Sequence, residues 1–591
     1  MSSEKSSKTP AMAPSGVPLK PSLLEWGLFI LIVAPLATLA KSTGLRRAME
    51  LMPWPDGLEY SAAALNLTKG RGPVLHFGGY TYPSRYTAGY PLLLEFFSRL
   101  FSRQAPLLWV PTFIIAEITL LAVFYLARQW LGRAAGPIAM LLLVLSPVFI
   151  TYSMLVMSDV PTMFITTLAA VALLRATEEA PTRSKATRTR DWVMFGLLAG
   201  FSTTMRPTNG VILVGLVVCV LMVPFERREL ASLVGAGIAV AIGFAIPVAW
   251  QLHLNAITLG SPFASGYSWW VPEVYGAGGK TFSAAYLFGP TMPRNPYGNL
   301  VVYVTTLLGL DGFIGHRANP GYFLYPFAAA VFAMVGFGAI LRDPGKPAAR
   351  RLMWFGLGYL GALTALYCFY IFTDVAFILP AAFILFIAAG AGVAIANRWM
   401  RDVMRDQDRR GRRLAVAAGV IVLDVLLVIS LATEAVSRLS ARPQDPLMVE
   451  SLQSLDSSMS WDTTIVSNIS LQFLDLYLGE TRSYVGLNSL DPGERFTDYH
   501  LHRLYEKRAA GWSGPVPAVV FDGEQMAPAV ADSLASAIDA KKPVFLILAA
   551  PESQQYADVL KGELDQLQGK FAVESVSQNE AVAVYRLTAR K

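Results

Sequence analysis

Eleven apolar stretches, most of them close to the length of a bilayer crossing, dominate this chain. They lie near Leu24–Ala40, Leu107–Leu126, Ala134–Thr151, Thr162–Leu174, Trp192–Thr204, Val211–Phe225, Leu233–Trp250, Tyr322–Leu341, Leu352–Phe372, Ala376–Ala396 and Leu414–Thr433. A helical span needs about 20 mostly apolar residues. Lipid offers the backbone no hydrogen-bond partner, so a helix must satisfy its own. With 54% hydrophobic and 15% charged residues among 591, the chain reads as a polytopic α-helical membrane protein. Cys219 and Cys368 both sit inside apolar runs, which fits small buried side chains rather than a disulfide or a metal site.

The connections between stretches alternate in charge. Arg128 to Arg133, Arg175 to Arg190, Glu226-Arg-Arg-Glu229, Arg342 to Arg351 and Arg398 to Arg413 are basic or mixed-basic. Such loops stay cytoplasmic. The other set then faces outward: Lys41–Pro106, Tyr152–Val160, Met205–Asn209, Leu252–Gly321, Ile371–Val375 and everything after Glu434. Asn299–Leu310 is apolar enough to be a further span, but counting it would invert every later loop. It therefore reads as interfacial or re-entrant, with a twelfth span as the alternative. Residues 1–22 form a Ser/Pro/Lys-rich cytoplasmic tail expected to be disordered. Residues 23–436 form the membrane domain, with its first outer loop at 43–106. Residues 437–591 alternate strand-like runs (Thr464–Val466, Ala518–Phe521, Pro543–Ala549, Ala581–Tyr585) and helix-like runs (Ala527–Ala540, Glu552–Gly569), as a soluble α/β domain on the outer side would.

Three acidic positions fall on the outer face under this topology: Asp56, Asp159 and Asp374, with Arg85 and Arg206 beside them. Charges kept at a membrane boundary are costly, so the cluster marks a functional site. Asp56, in Pro55-Asp-Gly-Leu-Glu-Tyr60, suits a general base, with a helix N-cap as its structural reading. Glu59 reads as a solvated helix-face charge, with Tyr60 beside it in the motif. Asp159, in Met157-Ser-Asp-Val-Pro161, can orient an acceptor or cap its helix. The two aspartates could also share a divalent cation, Mg2+ or Mn2+. Arg85, next to Tyr86, and Arg206 carry the planar fork that grips phosphate. Lys69 and Arg71 are weaker phosphate candidates.

These residues resemble a known family. The acidic motif after the first span, Tyr82-Pro-Ser-Arg-Tyr86 with Gly89-Tyr-Pro-Leu-Leu-Leu94, and Met157-Ser-Asp-Val-Pro161 are similar to the GT-C membrane glycosyltransferases. The likeness is to the branch of bacterial protein O-mannosyltransferases and the lipid A aminoarabinose transferase. The resemblance implies a polyprenyl-phosphate sugar donor, inverting transfer, and a glycan, lipid or protein acceptor at the outer face of the inner membrane. It aligns Asp56 with the catalytic first-loop aspartate and Asp159 with the acidic residue of the second outer loop. One departure stands out: where many members carry an arginine two residues after a late acidic one, Ala376 follows Asp374. The phosphate then depends on Arg85, Arg206 or a metal.

The rival reading is a transporter or flippase of a lipid-linked or anionic substrate, which usually shows internal repeats and charges at the bilayer midplane. Neither is visible here, and nothing in the chain suggests a nucleic-acid partner. The topology is checked by single cysteines labelled from outside sealed cells. Probes at Thr81 and Ser536 are expected to react and one at Ser184 to stay unlabelled; labelling at Ser184 would sink the scheme.

Overall fold

Runs rich in alanine, leucine, valine and phenylalanine close into helices, and the breaks between them fall at residues that cannot continue one. Pro147 follows Ser146, which caps the next helix through its Oγ. Pro207 starts a 3-10 turn after Met205, and Pro347 opens the helix Pro347–Cys368. In the computed structural model of the protein, the described residues are 27, 55–101, 108–178, 184–222, 230–292, 296–310, 324–405, 415–423, 425–426, 447–456, 459–480, 482–487, 499–522, 525–549, 554–578 and 582–590.

Among the described residues, four helices are long and apolar enough to cross a membrane: Val110–Leu131, Asp159–Ala176, Leu233–Leu259 and Val375–Asp402. Ala135–Val144 and Pro147–Met154, expected as one span, are bent by 66° at their junction and count as a fifth only if taken together. Lys185–Met205, Pro207–Met222, Phe327–Arg342 and Pro347–Cys368 fill other expected stretches without meeting the same length and apolarity. The expected tail at 1–22, the expected span at 24–40 apart from Gly27, nine of the twenty residues of the span at 414–433, and the boundary near 437 lie outside the described residues. Asn299–Leu307 is a nine-residue helix. At about 1.5 Å per residue it reaches roughly 14 Å, too short to cross.

The helices pack backbone to backbone through small residues, as membrane helices do. A Cβ on Gly196 would meet Val240 O at 2.2 Å, one on Gly200 would meet Phe244 O at 2.5 Å, and one on Gly243 would meet Val193 O at 2.3 Å. These contacts lock Lys185–Met205 against Leu230–Leu259 and so fix Arg206, the residue that ends the first helix. The other side of Leu230–Leu259 exposes Val234, Ile238, Ile242 and Ile246, an unbroken apolar ridge suited to lipid.

The C-terminal part holds a five-stranded sheet. Ser483–Gly486, Thr464–Ser467 and Val544–Ala549 run parallel, then Val582–Ala589 and Phe571–Gln578 continue it antiparallel. The expected strands at 464–466, 543–549 and 581–585 are among these. Ala518–Phe521 contributes only a bridge at Val519 and the two-residue strand Phe521–Asp522. This unit packs on the first loop. There a hairpin, Val74–Phe77 with Tyr80–Pro83, turns at Gly78 and Gly79, both left-handed (φ 57° and 81°), as a tight two-residue hairpin turn requires. Side-chain room at Gly78 is absent as well, because Pro517 Cβ would lie 2.6 Å from a Cβ there. Leu58, Leu75, Phe77 and Trp270 of the membrane part share one buried cluster with Leu471, Leu501 and Leu504 of the sheet domain.

Gly196→Ala is expected to destabilise the protein by about 1–3 kcal/mol through overpacking. Gly237→Ala, on the partner helix with nothing within 4 Å, should be neutral or gain up to about 1 kcal/mol. Thermal unfolding in the same detergent compares the two; equal shifts would refute the close-packing account.

Candidate active site

The helix Asp56–Thr68 begins with its acidic residues in the first turn, where Asp56 and Glu59 favour the positive end of the helix dipole. Three residues apart, they share one face. Pro55 occupies the N-cap position, so Asp56 is the first helical residue rather than the cap. Both carboxylates converge on Arg85. Arg85 Nη2 donates to Asp56 Oδ1 at 2.7 Å, and Arg85 Nε donates to Glu59 Oε2 at 3.1 Å. The backbone N–H of Arg85 donates to Glu59 Oε1, and Ser84 Oγ reaches the same oxygen at 3.3 Å. The Arg85 guanidinium also lies over the rings of Tyr86 and Tyr499, at 4.8 and 5.3 Å.

Glu59 corrects the sequence reading. It is fully buried rather than a solvated helix-face charge. Burial pushes its carboxyl up, but the Arg85 guanidinium and a hydrogen bond from His500 outweigh that and hold it below its ordinary 4.5. His500, from the C-terminal domain, places Nε2 3.3 Å from Glu59 Oε2. The two acids of the motif therefore differ. The Asp56 side chain is 31% exposed and the Glu59 side chain 0%.

A second ion pair sits nearby. Asp159 opens the helix Asp159–Ala176, with Ser158 rather than Asp159 in the N-cap position, and its Oδ1 accepts from Arg206 Nη1. Asp159 Oδ2 is buried with no partner among the described residues. Tyr60 links the two pairs. Its hydroxyl lies 3.3 Å from Ser158 Oγ, and its ring stacks on Tyr86 at 4.1 Å. Tyr267 meets the edge of Tyr86 at 5.5 Å. Arg206 lies 5.1 Å over the Phe377 ring and acts on Asp374, which also feels Asp56. Asp374 Oδ1 caps the turn at Ala376 N, and Tyr152 OH donates to Oδ2, both at 2.8 Å. Burial raises the Asp374 carboxyl against those hydrogen bonds.

Lys69 and Arg71 lie apart from this cluster. They hold Glu480 of the C-terminal domain, at 2.5 and 2.7 Å, and so serve as docking contacts rather than phosphate ligands here. Asp56 and Asp159 are each taken by a different arginine, and among the described residues no three His, Cys, Asp or Glu side chains converge as a metal site. In this geometry a cation shared by the two aspartates would meet an arginine on each of them, and the chemistry proposed below uses the chain's own side chains. His500, Tyr499 and Tyr267 escaped the sequence reading. The three-residue spacing of Asp56 and Glu59 was the available signal that both serve one cation. A cavity of about 280 Å3 opens behind Arg85 and Tyr86, bounded by Thr203, Thr204, Gln251 and Asn255.

Residues 87–251 match the family model described as dolichyl-phosphate-mannose-protein mannosyltransferase. No curated protein matches the chain in sequence. Among solved structures, ArnT from Cupriavidus metallidurans bound to undecaprenyl phosphate superposes with a TM-score of 0.59 at 12% identity, covering 95% of this chain and 98% of that one. The chain shares the fold of ArnT. The apo oligosaccharyltransferase of Archaeoglobus fulgidus gives a TM-score of 0.51 at 12% identity, over 90% of this chain and 70% of that one. The archaeal oligosaccharyltransferase AglB from the same organism, in complex with an inhibitory peptide and a dolichol-phosphate, gives 0.50 at 12% identity, over 95% and 74%.

Because the folded Glu59 carboxyl lies below its ordinary value, its ion pair stabilises fully above about pH 4.5 and is lost as pH falls through the folded value. Glu59→Gln, which leaves Arg85 unpaired on its buried side, should cost about 3–5 kcal/mol near pH 7. The difference in thermal midpoint from the parent protein should shrink on acidification below that window. A difference that does not change down to pH 3 counts against the assignment.

Proposed function

We propose that the protein is an inverting glycosyltransferase that moves a sugar from a polyprenyl-phosphate donor to an acceptor hydroxyl at the outer face of the membrane. One observation carries the assignment of the base. Of the two carboxylates on Arg85, Glu59 is sealed and fully hydrogen-bonded, whereas Asp56 keeps a third of its side chain open to a substrate. Among the described residues only Arg85 hydrogen-bonds Asp56, through Oδ1. Oδ2 is left to take the acceptor proton. The acceptor oxygen attacks the anomeric carbon from the face opposite the phosphate. Its proton passes to Asp56, the bond from the anomeric carbon to the phosphate oxygen breaks, and the lipid phosphate departs with the electron pair.

The leaving phosphate needs a cation where its charge grows. Ala376 leaves none on the late turn. Arg206 reaches that turn from another helix, over Phe377 and beside Asp374. This supports Arg206 as the replacement for the missing arginine, with Arg85 contributing from the other side. The cavity behind Tyr86 adjoins the lipid-suited helix Leu230–Leu259, a route by which an isoprenoid chain could stay in lipid while its head group reaches Arg85. ArnT in complex with undecaprenyl phosphate and AglB in complex with a dolichol-phosphate bind ligands of this class.

The test incubates the purified protein with a panel of polyprenyl-phosphate sugars and measures released polyprenyl phosphate. Asp56→Asn should fold and bind donor, with turnover lower by about 100-fold or more. Arg206→Ala should lose about 2–4 kcal/mol of transition-state stabilisation. Near-normal turnover in folded Asp56→Asn would refute the base, and full turnover of Arg206→Ala at limiting donor would place the phosphate elsewhere.

A further inference from the structure

We infer that the C-terminal domain is part of the catalytic site, with His500 a positioning residue that fixes Arg85 through Glu59. The inference rests on the reading of Arg85 and Asp56 as the working pair. Glu59 has two oxygens, and both are fully used. Oε1 takes the Arg85 backbone N–H and the Ser84 hydroxyl; Oε2 takes Arg85 Nε at 3.1 Å and His500 Nε2 at 3.3 Å. An ionised carboxylate only accepts, so His500 must carry its proton on Nε2 to make this contact. The bond to the Arg85 backbone matters most. Through it, Glu59 sets the conformation of the loop as well as the direction of the guanidinium.

His500 is itself fixed. It is buried, with the edge of Trp270 at 4.9 Å and Phe77 at 5.9 Å. Trp270 Nε1 donates to Pro83 O at 2.8 Å, which ties the same wall to the strand leading into Ser84 and Arg85. The preceding residue, Tyr499, lays its ring 5.3 Å from the Arg85 guanidinium. The start of the helix Tyr499–Ala509 therefore meets the arginine directly and through Glu59. A residue needed only for docking could be apolar at this depth. An imidazole buried against a carboxylate loses hydration that, among the described residues, this hydrogen bond restores. The plain docking contacts lie further out, where Glu480 pairs with Lys69 and Arg71 at 2.5 and 2.7 Å.

The test uses the full-length protein in lipid nanodiscs and three variants: His500→Ala, His500→Gln and, as a docking control, Glu480→Ala. Hydrogen–deuterium exchange of the peptide covering 83–87 reads the Arg85 N–H without reference to activity. Loss of a hydrogen bond to a charged group should speed that exchange about tenfold or more in His500→Ala and lower kcat by a similar factor. Exchange in the strands Thr464–Ser467 and Val544–Ala549 should stay unchanged. His500→Gln, which keeps an N–H donor, should recover both signals to within about threefold. Glu480→Ala should leave both at the parent level. Unchanged exchange at 83–87 in His500→Ala overturns the proposal, as does a loss spread over the whole C-terminal sheet that glutamine does not rescue. Failure of the glycosyltransferase reading looks different: the parent protein would show no turnover on any polyprenyl-phosphate sugar while the exchange response to His500→Ala persisted.

Discussion

A carboxylate without water must be surrounded by donors, and Glu59 imposes that demand on the rest of the site. It is fully buried, and the groups that satisfy it come from two distant parts of the chain: the loop residues Ser84 and Arg85, and His500 some 440 residues later in sequence. An unpaired buried charge would cost several kcal/mol. The first loop, the strand leading into Arg85 and the C-terminal domain are therefore committed to one arrangement. Asp56, one turn away on the same helix face, is spared that role and keeps its access to the outside. The same motif thus supplies one sealed acid and one partly open to solvent.

The second constraint is close helix packing. Gly196, Gly200 and Gly243 bring two helices into backbone contact, and the end of one of them carries Arg206 to Asp159. Small residues are what let membrane helices approach in this way, because lipid supplies no hydrophobic drive for their association. The arginine so placed reaches the turn at Asp374, where Ala376 provides no cation of its own. The ion pair at Arg206 and the pair at Arg85 then flank Tyr60 from two sides, with aromatic rings between them.

Much was legible in the residues alone. Hydrophobic stretches announced helices, because a bilayer-length apolar segment has few other options. The alternation of basic loops placed Asp56, Asp159, Arg85, Arg206 and Asp374 in one group, and the structure pairs four of these as Asp56–Arg85 and Asp159–Arg206. Periodic runs in the tail pointed to strands at 464–466 and 543–549, since short apolar segments between helices suit a parallel sheet. Composition could not say that Ala135–Met154 bends by 66°, because serine followed by proline permits either a kink or a new helix.

Other features were decided only in three dimensions. Burial is a property of the whole packed chain, so no local rule distinguished Glu59 from a solvated helix acid or Lys69 and Arg71 from phosphate ligands. Each takes its role from a residue more than 400 positions away, His500 for the first and Glu480 for the others. The sequence by itself determined the helices, the loop that carries the acids and which residue types could do chemistry. The tertiary structure decided which carboxylate is sealed and which is open, because that depends on the desolvation and hydrogen bonds brought by a domain folded from the far end of the chain.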